Sequence, residues 1–468
     1  MKYVSTRGEA PALGFSDVLL AGLASDGGLY VPEVWPAISA AEISGFSGAR
    51  YETVAADIIG RFVGSDIPAA DLAQMCREAY AAFRHDAVAP LVQLGPGLWA
   101  LELFHGPTLA FKDVAMQLLS RLMDYVLARR RSRVTIIGAT SGDTGGAAIE
   151  AFRDRKNLDV FILFPKGRVS PVQQRQMTTS GAANVHAIAV DGDFDDCQAL
   201  VKALFNDARL RRELSLAGVN SINWARIVAQ VVYYFTAAVA LGSPGRKVSF
   251  TVPTGNFGDI FAGYAAKRMG LPIERLVVAT NVNDILSRTL ASGRYERRTV
   301  TATASPSMDI QVSSNFERLL FEAYQRDAST VRALMGELTA TGRFTIAAKP
   351  LATIRRDFAG ESIDEAATTA TIAATLKETG FLADPHTAVG IAAARRQPAS
   401  RTPMVVLATA HPAKFPDAVE KACGIRPALP AGFDGILRRK EEFASLPNDR
   451  AAVAEFIQSR ARAVHEKV

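Results

Sequence analysis

The run His105-Gly106-Pro107-Thr108-Leu109-Ala110-Phe111-Lys112-Asp113 places one lysine, Lys112, in an apolar loop shaped by Gly and Pro. An apolar helical stretch, Val114 to Leu127, follows at once. A lysine that loses solvation in such a loop holds its proton less tightly and becomes a usable amine nucleophile. The chemistry open to that amine is a Schiff base with a carbonyl cofactor, of which pyridoxal phosphate is the commonest. The plainer alternative is a surface lysine at a helix start, paired with Asp113.

Three further loops could serve that chemistry. Pro253-Thr254-Gly255-Asn256-Phe257-Gly258-Asp259 joins a predicted strand (248–252) to a predicted helix (259–269). Its glycines let backbone N–H groups turn inward at a helix N-terminus, an arrangement suited to a phosphate. A tight strand-to-helix turn with no ligand would look the same. Thr140-Ser141-Gly142-Asp143-Thr144-Gly145-Gly146 is a similar junction, richer in hydroxyls. It offers donors for a carboxylate and one acidic side chain, with helix capping by Ser141 or Asp143 as the alternative. Ala408-Thr409-Ala410-His411-Pro412-Ala413-Lys414-Phe415-Pro416 follows the last predicted strand, where ligands collect in an open α/β sheet. There Thr409 could bond a heterocycle nitrogen and Lys414 could meet an anion, while His411 reads as structural. Asp384-Pro385-His386-Thr387 is another polar turn, and Asn220-Ser221-Ile222-Asn223-Trp224-Ala225-Arg226 sets polar groups beside a helix.

The elements that must position these loops alternate between strand and helix. Strands are predicted at 134–137, 158–164, 185–190, 248–252, 276–280 and 404–407, with helices at 147–155, 195–205, 259–269 and 416–422. Such alternation argues for parallel βαβ units. Residues 1–95 read as mainly helical, 315–380 as a largely helical insertion, and the charged tail from about 430 as helical. The expected architecture is α/β, with two open, mostly parallel sheet domains and a helical N-terminal domain. The expected boundaries are 1–95, 96–240 for the smaller sheet domain, 241–430 for the larger, and 431–468 for the tail.

Composition excludes several classes. The chain has 468 residues and is 49% hydrophobic and 21% charged, enough for a large core without covalent staples. Its three cysteines, Cys76, Cys197 and Cys423, are far apart, which argues against disulfides and a zinc site and fits a reducing compartment. The six histidines lack metal-ligand spacing, so no metal is expected. A net charge of +6 is modest, and the basic run Arg129-Arg130-Arg131-Ser132-Arg133 sits at a predicted helix end, where cations complement the dipole; no nucleic-acid partner is implied. Met1 to Arg7 shows no apolar signal core, and no window reaches the roughly 18 apolar residues that would span a bilayer. A cytoplasmic protein is expected.

In this order, the segments resemble threonine synthase in its longer bacterial and fungal form, a family of the tryptophan-synthase-like fold (PLP fold type II). Tyr3-Val4-Ser5-Thr6-Arg7-Gly8 and Asp26-Gly27-Gly28-Leu29-Tyr30-Val31-Pro32 belong to the resemblance, which covers nearly the whole chain. It implies a carbon–oxygen lyase acting on phosphates, using pyridoxal 5'-phosphate to turn O-phospho-L-homoserine and water into L-threonine and phosphate. The reaction is a γ-elimination followed by β-addition of water, the last step of threonine biosynthesis. The resemblance implies Lys112 as the Schiff-base lysine and proton shuttle. Gly255, Asn256, Phe257 and Gly258 are implied as the cofactor phosphate cradle, and Thr409 as the partner of the pyridine nitrogen. Thr140, Ser141, Gly142, Asp143 and Thr144 are implied as the loop facing the cofactor hydroxyl and the substrate carboxylate. Many relatives carry Asn where this chain has Asp143. A carboxylate there would repel the substrate's, so Asp143 is expected to orient the loop or touch the cofactor. A second anion site is required for the substrate phosphate, with Lys414 and Arg226 as candidates. The same loops would permit a phosphohomoserine lyase or a serine or threonine dehydratase, but the N-terminal segments favour the synthase. A non-catalytic PLP-binding regulatory protein is the rival of another class, and an intact Lys112 counts against it. A monomer or homodimer is expected.

Overall fold

The computed structural model describes residues 1–433 and 435–465. Two open sheets carry the architecture. The larger has six strands in the order Phe358–Ser362, Ile273–Thr280, Val248–Pro253, Met404–Ala408, Leu98–Glu102 and Leu91–Gly95. All its neighbours are parallel except the final hairpin. The smaller has five parallel strands in the order Ala444–Leu446, Val185–Val190, Leu158–Pro165, Val134–Ala139 and Leu216–Ala217. The central strand Leu158–Pro165 is buried along its whole length, and apart from Asp159 its sequence is apolar on both faces.

Several expected boundaries shift. Position 96 falls inside the Leu91–Glu102 hairpin, which joins the larger sheet rather than the smaller one. The tail is not purely helical: Ala444–Leu446 extends the smaller sheet beside Val185–Val190 before the helix Arg450–Gln458 packs on the same layer. Asp434 and residues 466–468 of that tail lie outside the described residues. Within 315–380, Phe358–Ser362 is a strand, not helix. It is short and polar, and it forms because the edge of Ile273–Thr280 offers it a parallel partner. The N-terminal region is mainly helical as expected, but begins with a three-stranded antiparallel sheet of Leu13–Gly14, Lys2–Ser5 and Tyr30–Pro32.

Two long helices, packed against each other, carry site residues. Trp224–Ala240 is buried on nearly every face, with Tyr233, Tyr234 and Phe235 at 0% exposure. It is apolar all round, as a helix inside a large core must be. Lys112–Arg130 buries its first half and ends in Arg129 and Arg130, with Arg131 left-handed at φ 50°. The basic run therefore terminates a helix.

The N-terminal motif is an anchor. Thr6 Oγ1 donates to Glu317 Oε1 at 2.6 Å, and Arg7 grips the same carboxylate with two bonds of 3.0 Å. Asp26 accepts from Ser5 Oγ and from the N–H groups of Gly28, Glu9 and Ala10. This ties the first residues to the helix Phe316–Ala323, next to the loop that walls the main cavity.

Candidate active site

A cavity of about 880 Å³ opens where the carboxyl ends of both sheets meet. The loops after Val134–Ala139, Val248–Pro253 and Met404–Ala408 all reach it. Lys112 is the first residue of its helix, is 8% exposed and lines the cavity. The preceding loop is pinned to the loop after Met404–Ala408: the Phe111 N–H donates to Thr409 O at 2.8 Å and the His411 N–H to Leu109 O at 3.0 Å. Those bonds bring Lys112 and Thr409, distant in sequence, into one wall. The pairing of Lys112 with Asp113 does not occur. Asp113 instead accepts from Thr108 N and Thr108 Oγ1, both at 2.7 Å, and closes the loop. Gly106 is needed there, because a Cβ on it would stand 2.5 Å from Asp113.

The partner of Lys112 is Asp143, whose Oδ2 lies 3.5 Å from Nζ. Lys414 Nζ holds the other oxygen at 2.8 Å, and Gln173 Nε2 donates to it at 2.9 Å. Burial opposes ionisation of Asp143, but Lys414 and Lys112 override it and hold the carboxyl well below the usual range. Asp143 is thus an ionised carboxylate at the cavity wall, held between the two lysines. Burial pushes the Lys112 amine down; Asp143 opposes this, and Lys414 and Arg226 reinforce it. Lys414 does not line the cavity. It is fully buried, its ammonium bonded also to Thr108 O and Gln176 Oε1, so it has no proton left for a substrate phosphate.

Arg226 does line the cavity. It is 3% exposed, donates from one Nη to Val219 O at 3.0 Å, and leaves its buried Nε without a partner among the described residues. No carboxylate is salt-bridged to it among the described residues, and burial pushes it down to about 10, with Asp259 opposing. A buried guanidinium short of acceptors is suited to an anion.

The loop at 254–258 fits a phosphate. Thr254 Oγ1 donates to Asp259 Oδ1 at 2.5 Å and accepts from the Phe257 N–H at 3.1 Å, which fixes the bend. Among the described residues no protein acceptor takes the N–H groups of Gly255, Asn256 or Gly258, and Gly258 opens the helix Gly258–Arg268. A Cβ on Gly255 would sit 3.0 Å from Ser307 O. Phe257 contributes only backbone. Left-handed at φ 63°, it turns its ring away to pack 5.3 Å from Phe316 and 5.6 Å from Phe358, centroid to centroid.

Thr140, Ser141, Asp143 and Thr144 line the cavity. Gly142 is the bend beneath them, at φ 140°, where a Cβ would strike Gln173 at 2.4 Å. Thr140 Oγ1 accepts from the N–H groups of Gly142 and Gly145, both at 2.9 Å, so it braces the turn. Thr409 is 4% exposed and lines the cavity; its N–H donates to Thr387 Oγ1 at 3.2 Å, while its own hydroxyl has no protein partner among the described residues. Behind it, Thr387 Oγ1 donates to Asp384 Oδ1, and His386 Nδ1 pairs with Asp384 Oδ2 at 2.7 Å. His386 Nε2 accepts from the Ser307 N–H at 3.2 Å, which assigns the ring proton to Nδ1. The Asp384 turn is visible in sequence, but its role in holding Thr409 is not. No local pattern in the sequence marks the wall formed by 306–312, or Gln173 and Gln176 behind Asp143.

Three family models match the chain: threonine synthase N terminus over residues 2–80, pyridoxal-phosphate dependent enzyme over 84–337, and threonine synthase, C-terminal, over 387–457. The threonine synthase of Pseudomonas aeruginosa is 54% identical over 98% of this chain and 98% of its own. The chain belongs to the threonine synthase family. Among solved threonine synthases, the PLP-bound protein from Brucella melitensis is 64% identical and superposes at a TM-score of 0.97 over 99% of this chain and 100% of that one. The Escherichia coli threonine synthase is 34% identical at 0.82, covering 98% and 100%. As in the rest of the threonine synthase family, the fold is that of the type II PLP enzymes, and the cofactor is pyridoxal phosphate.

Proposed function

We infer that the chain converts O-phospho-L-homoserine and water into L-threonine and phosphate, with Lys112 as the amine that bears the cofactor. The observation that carries this is the buried Lys112 amine facing one cavity with a cradle of backbone N–H groups that take no protein acceptor among the described residues and an acceptor-poor guanidinium. Gly255, Asn256 and Gly258 would hold the cofactor phosphate through their N–H groups, and Thr409 Oγ1 would meet the pyridine nitrogen. Bound there, the cofactor supplies an electron sink for charge developing at the substrate α-carbon.

The residues of this chain then supply position and proton transfer. Ser141 and Thr144, at the start of the helix Asp143–Phe152, offer donors for the substrate carboxylate. Arg226 is the counter-ion for the substrate phosphate and its departing anion. Exposed Lys202 lines the same cavity and adds positive charge at its rim. Lys112 Nζ, its amine pushed down by burial, takes the α-proton and later the β-proton. Asp143 keeps that amine aimed at the cavity. Lys414 belongs behind the site, not on the substrate.

The reading keeps a monomer or homodimer, with these groups present in each copy. Among the described residues no helix is long and apolar enough to cross a membrane. The three cysteines are free, with Cys76 and Cys197 buried, which supports a reducing cytoplasm.

The test is product analysis with Lys112→Ala and Lys112→Arg. The native chain should release threonine and phosphate in equal amounts, and neither variant should turn over, since a guanidinium forms no imine. Release of 2-oxobutanoate in place of threonine by the native chain would assign it to the dehydratases, and appreciable threonine from Lys112→Ala would remove Lys112 from the chemistry.

A further inference from the structure

One carboxylate, Asp143, separates two buried lysines. Its Oδ1 is 2.8 Å from Lys414 Nζ, its Oδ2 is 3.5 Å from Lys112 Nζ, and its exposure is 4%. The two lysines are not equivalent. Lys414 is 0% exposed and has three acceptors, Asp143 Oδ1, Thr108 O at 2.7 Å and Gln176 Oε1 at 3.0 Å. Lys112 has one carboxylate contact among the described residues, the longer of the two on Asp143, and faces the cavity.

The charges around Lys112 come from four other elements. They are Asp143 on the helix Asp143–Phe152, Lys414 on the turn Pro412–Lys414, Arg226 on Trp224–Ala240 and Asp259 on Gly258–Arg268. Asp113, on the helix of Lys112, is committed to Thr108, and His386 lines the cavity with its ring proton on Asp384. Burial pushes Asp259 up to about 6, with the Thr254 hydroxyl opposing it. In a poorly polarisable interior, excess positive charge is relieved by the lysine that can lose its proton to the cavity, and that is Lys112.

We propose that Lys414 is a positioning residue for Lys112: it neutralises Asp143, so that the carboxylate aims the Lys112 amine at the cavity without holding a proton on it. A lysine needed only to brace the Thr108 loop would not require a carboxylate shared with Lys112. The proposal deepens the proposed function and rests on Lys112 being the cofactor-bearing amine.

The experiment follows how fast the full-length, cofactor-stripped chain attaches added pyridoxal phosphate at Lys112, fixed with borohydride, across pH. Attachment needs the neutral amine, so the midpoint of the profile reports the Lys112 proton. Lys414→Met should raise that midpoint by about one to two pH units, the size expected from losing a unit charge several ångströms away at an effective dielectric constant of about 20. Lys414→Arg should return it to within about half a unit, and near-isosteric Asp143→Asn should lower it by a comparable amount. Where Lys414→Met fails to fold, Lys414→Gln gives the same readout, and Asp143→Asn checks the coupling of the carboxylate to Lys112. A folded variant of either kind with an unmoved midpoint and only a lower melting temperature overturns the proposal and leaves Lys414 a brace. Fixation at some residue other than 112 in the native chain would instead overturn the assignment of Lys112.

Discussion

Arg226→Gln should stabilise the ligand-free protein while crippling it. The Arg226 guanidinium is 3% exposed, has a single protein acceptor among the described residues, Val219 O, and is pushed by burial from 12.5 down to about 10. That depression corresponds to about 3 kcal/mol by which the fold disfavours the cation at neutral pH. Glutamine removes the charge and keeps an amide within reach of Val219 O. It gives up part of the packed stem, a loss of about 1–2 kcal/mol. The balance is a ligand-free protein more stable by about 1–2 kcal/mol, a rise of a degree or two in melting temperature for a chain of this length. The substrate phosphate would lose a charge-assisted pair worth about 2–4 kcal/mol, so kcat/KM for O-phosphohomoserine should fall roughly 30- to 1,000-fold. The assays are melting in phosphate-free buffer, phosphate release kinetics, and cofactor retention, which should be unchanged. A variant within threefold of native kcat/KM, or one that melts several degrees lower, would refute the reasoning and make Arg226 a structural brace.

Gly255→Val should weaken cofactor retention about 10- to 100-fold on dialysis, because its Cβ would already stand 3.0 Å from the Ser307 carbonyl and two further methyls must displace the wall of the cradle. Thr409→Asp should still bind cofactor but turn over slowly, with an altered cofactor spectrum and more side products, since an anion at the ring nitrogen over-stabilises negative charge at the α-carbon; Thr409→Ala should lose only about 0.5–1.5 kcal/mol. Normal rate and product ratio in Thr409→Asp would place Thr409 away from the ring. His411 is pushed by burial down to about 4, with Arg84 and His105 adding to the effect. Its folded-state value lies below the unfolded one, so its contribution is present above about pH 6.5 and is lost as pH falls through about 4. His411→Asn, which can keep the cap on the Ala413 N–H, should therefore flatten the acid limb of the melting profile by about 1–2 kcal/mol, and an unchanged limb would assign it to other groups.

The sequence by itself determined the chemistry-bearing loops, because each is a local event. Glycines at 255 and 258, hydroxyls at 140, 141 and 144 and a lysine after Gly106-Pro107 act through backbone turns and helix starts that a few adjacent residues specify. The apolar run at 160–165 likewise announces a buried parallel strand, since both faces of such a strand are covered, whereas Val248–Pro253 alternates Val-Ser-Phe-Thr-Val in sequence and is buried all the same. Only the tertiary structure decided which charges meet. Lys414 reads as a cation that could meet an anion after a strand, and Asp143 as a group of the substrate-facing loop or a helix cap, until folding sets them 2.8 Å apart with Gln176 and the Thr108 carbonyl, the latter 306 residues from Lys414. The same holds for the edge strand Phe358–Ser362 and for Ala444–Leu446, whose weak local preferences are overridden by a waiting sheet edge. Solvation is the physical reason: whether a lysine carries a proton, or an arginine an unused donor, depends on what excludes water from it, and the excluding groups here come from remote parts of the chain.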